Sequence, residues 1–335
     1  DLIKNYLLSK SGTRISEVQG LWSRMRGALE SSSEDVDITI NFVRHALITQ
    51  RGHLREADVY DAVQDIVRSE SSAATFSALL ERLANVYAAT FNTDHERWNA
   101  YPDEARRSIE VLNLFNIKPM RALILAVSEK MDTKQATRAF RFMISLGVRL
   151  IIASSTRSGS VEVPLAASAK KVFEGAIDTS AKLVDELVAL TPTDAEFVAA
   201  FENTRVSNVK LARYYLRSLE TAAREEPDPW FVPHADPQVI NLEHILPKNP
   251  EGQWPQFTED EQALFTKRLG NLALVRATDN STNLKSKSFN DKKRVYAASP
   301  YLLTSQVAEA GSWTAEMIST RQKKLAQLAL KAWPI

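Results

Sequence analysis

The sequence predicts a mainly α protein in two parts: a multi-helix N-terminal domain over residues 1–226 and a small α+β domain over residues 227–335. Three observations predict it. Apolar residues recur at three- and four-residue spacing through most of the first two thirds, and β-branched alternation begins only after a proline-rich break. At 335 residues the chain also exceeds a typical single domain, and each part is long enough to bury its own core.

Leu2, Ile3, Tyr6, Leu7 and Leu8 share a helical spacing, as do Ile15, Val18, Leu21, Trp22 and Met25 after the break at Ser9-Lys-Ser-Gly. Ser31 to Asp35 is a polar turn that offers N-caps to a helix carrying Ile38, Ile40, Phe42, Val43 and Leu47. Helical patterns follow at 59–67, 76–91, 105–115, 119–131 and 136–152. Pro119 fits early in its helix, where a missing N–H costs nothing, and Asp132 is placed to cap the next. Ser158 to Pro164 reads as an irregular link. Helices resume over 166–190, 194–201 and 206–223, with no fixed repeat period that would mark a solenoid.

The cluster from Arg224 to Trp230 contains Pro227 and Pro229 and ends the last of these helices, which puts the boundary at 226/227. Val239-Ile-Asn-Leu-Glu-His-Ile-Leu then alternates as a strand that stops at Pro247. A short helix over 259–268, a second strand over 272–278, a helix over 281–298 and a final helix over 314–333 complete the chain.

Composition excludes several classes. A formal net charge of +1 names no partner, so any nucleic-acid surface is local. The absence of cysteine rules out disulfides and thiolate metal sites and is compatible with a reducing cytoplasm, the expected location. The longest apolar run, Ala122 to Val127, is far shorter than the ~20 residues of a membrane span, which predicts a soluble protein. No phosphate-binding glycine loop and no Gly-x-Ser-x-Gly nucleophile turn occurs.

Glu243-His-Ile-Leu-Pro, Leu269-Gly-Asn-Leu-Ala-Leu, Asn280 and the segment from Lys287 through Phe289 to Lys292-Lys293 resemble the C-terminal nuclease domain of GmrSD-type modification-dependent restriction endonucleases. The resemblance spans roughly residues 238–325 and implies a ββα-metal domain of the HNH, or His-Me finger, class. The opening Asp1-Leu-Ile-Lys-Asn-Tyr-Leu-Leu resembles the junction that follows the N-terminal nucleotide-handling domain in these proteins. That domain's Asp-Gly-Gln-rich motif is absent, so the sequence is expected to be a fragment and the missing domain its partner.

Phosphodiester cleavage needs an activated water and a counter-charge for the transition state. His244 is the base candidate, because a neutral imidazole takes up a proton near neutral pH. Glu243 and Asn280 offer hard oxygen ligands for one divalent ion, Mg²⁺ or Mn²⁺, and Asn271 is assigned to hold His244 or its loop in place. The resemblance implies a 5′-phosphate and a 3′-hydroxyl as product ends. Asn283 stands as the alternative to Asn280, whose spacing from Asn271 matches the family. The family pattern often has Asp where this chain has Glu243. Adjacent strand residues also point to opposite faces, so Glu243 and His244 can share an ion only if the strand turns between them.

Simpler readings exist for each. Asn271 after Gly270 also suits a turn, Asn280 suits an N-cap, and His45, His53 and His95 lack chemical companions. Trp254, Trp313 and Trp333 read as core or interface aromatics. Lys267, Arg268, Arg276, Lys285, Lys287, Lys292, Lys293 and Arg294 flank the candidate site and are expected to neutralise DNA phosphates. Arg321, Lys323, Lys324 and Lys331 extend that surface or face water.

The function expected is a metal-dependent DNA endonuclease of a bacterial anti-phage restriction system, with double-stranded and modified DNA as the expected partner. One site cuts one strand, so a nickase is one form of it, and double-strand breaks need a second site or a dimer. The rival readings are an inactive helical scaffold that binds DNA or a protein, and an RNA nuclease with the same phosphate chemistry.

Overall fold

A computed structural model of the protein describes residues 2–154, 159–225, 236, 239–250, 252–279 and 284–335. Among these residues it is mainly helical, with one two-stranded sheet. The chain divides into two compact units, residues 1–191 with Ile335, and residues 192–334. Composition puts the boundary at 226/227, later than this division. The reason is long-range packing: helices 194–201 and 209–224 bury their apolar faces against the last helix, about a hundred residues on, which no local pattern shows.

The first unit contains α1 (Leu2–Lys10), α2 (Ile15–Glu30), α3 (Ile38–Arg51), α4 (Val59–Ile66), α5 (Glu70–Ala89), α6 (Asp103–Phe115), α7 (Arg121–Lys130), α8 (Thr133–Ile152), α9 (Glu162–Phe173) and α10 (Ser180–Leu187). α2 packs on α5, α6 on α8, and α7 and α3 on α9. Leu7, Val18, Trp22, Phe42, Leu47 and Leu80 fill the core between the early helices. Asp132 caps α8, accepting from the Gln135 N–H at 2.8 Å. No side chain from Ser31 to Asp35 caps α3, which starts after Asp37 without a side-chain cap. His45 is buried, with Nδ1 2.8 Å from the Tyr87 hydroxyl, a structural placement.

In the second unit α11 (Asp194–Phe201) and α12 (Val209–Arg224) pack on α16 (Ala315–Ala332). Phe197, Phe201, Tyr214 and Tyr215 surround the ring of Trp333, whose Nε1 donates to the Tyr214 hydroxyl at 3.2 Å. β1 (Ile240–His244) pairs antiparallel with β2 (Leu272–Arg276), in register from Ile240 opposite Arg276 to His244 opposite Leu272. α13 (Glu259–Phe265) lies between the strands in sequence, and α14 (Phe289–Ala297) and the short α15 (Leu302–Ser305) follow β2. α14 begins at Phe289, not near 281, because the Ser288 hydroxyl caps it by accepting from the Asp291 N–H.

Arg321 and Gln322 of α16 hold the turn into β2. Arg321 Nη1 donates to the carbonyls of Gly270 and Leu272 at 2.8 Å each, and Nη2 donates to Leu303 O at 3.2 Å. Gln322 Oε1 accepts from the Gly270 N–H, and its Nε2 donates to Phe201 O at 2.7 Å. Arg321, partly buried, therefore commits its guanidinium to main-chain carbonyls and does not extend a DNA surface. Burial pulls its pKa down to about 10. Gly270 must be glycine, because a Cβ there runs into the Ile318 carbonyl and sits 3.1 Å from Gln322 Cβ. Gly270→Ala is expected to cost about 3 kcal/mol through overpacking, read as a lower midpoint in urea unfolding; an unchanged midpoint would show that the turn relaxes freely.

Candidate active site

The sheet and α14 bring the motif residues together. β1 stays paired through Glu243 and His244, so their side chains point to opposite faces, and the strand makes no turn between them. Glu243 faces α14. Its Oε1 accepts from Lys292 Nζ at 2.7 Å and from the Tyr296 hydroxyl at 3.1 Å, in a pocket where Lys292 and Tyr296 have no exposed surface. Lys292 Nζ also donates to the carbonyls of His244 at 3.0 Å and Ile245 at 3.1 Å, which gives each of its three N–H groups an acceptor. Burial pushes the Glu243 carboxyl up and the Lys292 ammonium down, and their mutual attraction opposes both shifts. Burial together with the adjacent Glu243 charge holds the Tyr296 phenol well above its usual range.

His244, on the other face, is partly exposed at the strand end. Desolvation, helped by the charges of Lys248 and Lys292, lowers its pKa to about 4, so the imidazole is neutral at physiological pH.

Asn271 is buried at the end of the turn that leads into β2 and grips the segment after His244. Its Oδ1 accepts from the Leu246 N–H at 2.8 Å, and its Nδ2 donates to Leu246 O at 2.9 Å and to Thr266 O at 3.2 Å. Trp313 Nε1 donates to the same Oδ1 at 3.0 Å. The Ile245 N–H completes the ladder on Asn271 O at 2.9 Å. The indole of Trp313 stacks on Phe289, with ring centroids 5.5 Å apart, so the core behind the sheet and the clamp on the loop form one packed unit.

The basic residues separate into two sets. Lys267, Arg276, Lys285, Lys287 and Arg294 are exposed and Lys293 partly so. Lys292 does not belong with them: it is buried against Glu243 and cannot present its ammonium to a phosphate from there. Arg268 lies over the Phe265 ring and donates to Glu202 O at 3.3 Å, which ties its guanidinium to the fold. Arg276 is 3.8 Å from Asp279. Asn280 and Asn283 lie outside the described residues. Sequence reading missed Tyr296 and the buried place of Lys292. The signal was present in the spacing of Phe289, Lys292 and Tyr296, which puts all three on one helix face.

A family model described as the C-terminal domain of GmrSD restriction endonucleases matches residues 191–328. Residues 191–328 are a GmrSD-type C-terminal domain. The match begins within one residue of the start of the second compact unit, so α11 and α12 belong with the matched domain by packing and by family alike. Glu243, His244, Asn271, Lys292 and Tyr296 all fall inside it. Comparison with curated proteins finds no match for the chain.

Among the described residues no group of three His, Asp or Glu side chains is placed to hold a metal ion. The two expected ligands do not complete a site there: Glu243 Oε1 is engaged by Lys292 and Tyr296, and Asn280 is not among the described residues. No helix among the described residues is long and apolar enough to cross a membrane.

Proposed function

We propose that the second unit is a DNA endonuclease module of a restriction system that hydrolyses phosphodiester bonds with His244 as general base. The observation that carries this reading is a neutral, partly exposed imidazole at the end of a paired strand whose backbone is held by Lys292 at the His244 carbonyl and by Asn271 two residues on, within a domain that matches a restriction-endonuclease family. In the proposed step, the free imidazole nitrogen takes a proton from water, the water oxygen bonds to phosphorus, and the bond to the 3′ oxygen breaks. That oxygen leaves with a proton from solvent, and the ends are a 5′-phosphate and a 3′-hydroxyl.

The HNH, ββα-metal reading belongs to this proposal, supported by the order β1, β2, α14. It brings with it a divalent ion, Mg²⁺ or Mn²⁺. Glu243 as placed does not fit such an ion, and no step is assigned through one. Lys267, Arg276, Lys285, Lys287, Lys293 and Arg294 are the proposed phosphate contacts. Choice of a modified target is assigned to a nucleotide-handling domain of the kind that precedes this junction in the family, with the first helical unit coupling the two.

The test is conversion of supercoiled plasmid in Mg²⁺, in Mn²⁺ and in chelator, with a structured RNA as parallel substrate. Nicked circles that form with metal and not with chelator support the reading; RNA cleavage alone would redirect it, and DNA binding without cleavage of either substrate would favour the scaffold. DNA affinity is expected to fall with salt, and Lys285→Ala with Lys287→Ala to flatten the log–log slope by about 2. A slope that the double substitution leaves unchanged removes this pair from the interface.

A further inference from the structure

The buried cluster between β1 and α14 assigns a role that the basic run disguises. Lys292 is a charged side chain with no exposed surface, and two of its three acceptors are main-chain carbonyls of His244 and its neighbour Ile245. A phosphate ligand would keep its ammonium at the surface, whereas this one points into the fold. A metal-ligating carboxylate would aim at an open cavity; Glu243 Oε1 instead receives an ammonium and a phenol. The ring of Trp254 lies 5.8 Å from Lys292 Nζ and helps to close the pocket.

We infer that Lys292 is a positioning residue for His244 and that Glu243 is its buried counter-ion, not a metal ligand. The inference rests on His244 being the base. Lys292 fixes the carbonyl side of His244 while Asn271 fixes Leu246 two residues on, so the imidazole leaves a backbone with little freedom to tilt. Tyr296, one turn after Lys292, donates to the same Glu243 oxygen and keeps the carboxylate directed at α14. A misplacement of the base on the order of 1 Å reduces the rate about a hundredfold without altering how DNA is held. Removing Lys292 should therefore act on kcat.

The full chain is compared with Lys292→Met, Glu243→Gln and the double variant. Lys292→Met is expected to lower kcat for plasmid nicking at least about 30-fold while KM stays within about threefold. In ¹⁵N-histidine spectra the His244 imidazole signal should move in Lys292→Met while those of His45, His53 and His95 stay in place. Each single variant leaves one buried charge unpaired and is expected to lose about 10 °C of melting temperature, part of which the double variant regains. Mn²⁺ titrated into Glu243→Gln should bind within about twofold of the unmodified chain.

Loss of Mn²⁺ binding in Glu243→Gln but not in Lys292→Met would make Glu243 a ligand and overturn the inference. So would a raised KM at constant kcat in Lys292→Met, the mark of a phosphate contact. Should the unmodified chain cut nothing, the nuclease reading fails by itself, and the imidazole spectra still decide whether Lys292 holds His244.

Discussion

His244→Ala is expected to abolish plasmid nicking, lowering the rate by about 10²–10⁴-fold, the contribution typical of a general base. DNA binding should be retained, because the exposed cations proposed to meet phosphate are separate side chains that the substitution leaves in place. Melting temperature should change little at neutral pH, since the ring is partly exposed and neutral there. The pH profile gives a second readout. With a pKa lowered to about 4, the imidazole is a free base throughout the neutral range, so its acid limb should fall near pH 4, well below an ordinary histidine. The stability sign follows from the same shift. A folded-state pKa below the unfolded value of 6.5 means that protonation favours unfolding, so this contribution is fully present above about pH 6.5 and is lost as pH falls through about 4. His244→Ala should remove that dependence. Equal nicking by both proteins, or an acid limb that survives the substitution unchanged, would exclude His244 as the base.

Asn271→Ala should be the most destabilising single change at the site, by about 4 kcal/mol. The substitution leaves the Leu246 N–H and carbonyl, the Thr266 carbonyl and the Trp313 indole N–H without their partner, all in a place no water reaches freely. Denaturant unfolding of the full chain checks it, and a loss below about 1 kcal/mol would mean that the loop finds other partners. Asn271→Asp separates the two halves of the amide: it retains the acceptor for Leu246 and Trp313 but sets a carboxylate against two carbonyls. It should therefore be nearly as costly as alanine. A nearly neutral Asp variant would show that the two donated bonds contribute little.

Much of the helical fold was legible in the sequence because amphipathic spacing is a local property. Val18, Trp22 and Met25 repeat with the period of the helix they occupy, and all are buried as that period requires. The alternation from Ile240 to His244 likewise identified a strand, and the tryptophans expected in the core are there. The start of α14 was misjudged: Lys285, with φ 32°, lies in a turn before the Ser288 cap, and a run of polar residues carries no apolar face from which to read a helix start.

Charge was the harder matter. Lys287, Lys292 and Lys293 look alike in a basic run, yet Lys287 is exposed and Lys292 is buried on a carboxylate forty-nine positions earlier in the chain. Arg321 looked like surface and is used as a main-chain clamp. A lysine or arginine is buried only when a distant segment supplies its acceptors, and no window of sequence contains that segment.

Local pattern alone set the helical character of the chain, the strand that carries Glu243 and His244, and the residue types able to handle a phosphodiester. Long-range packing put α11 and α12 in the second unit, closed Asn271 on Leu246, and brought Glu243 and Lys292 together inside the fold. The division has one physical cause: periodicity records how a segment folds on itself, whereas the burial of a charge or an amide depends on partners that folding brings from far along the chain.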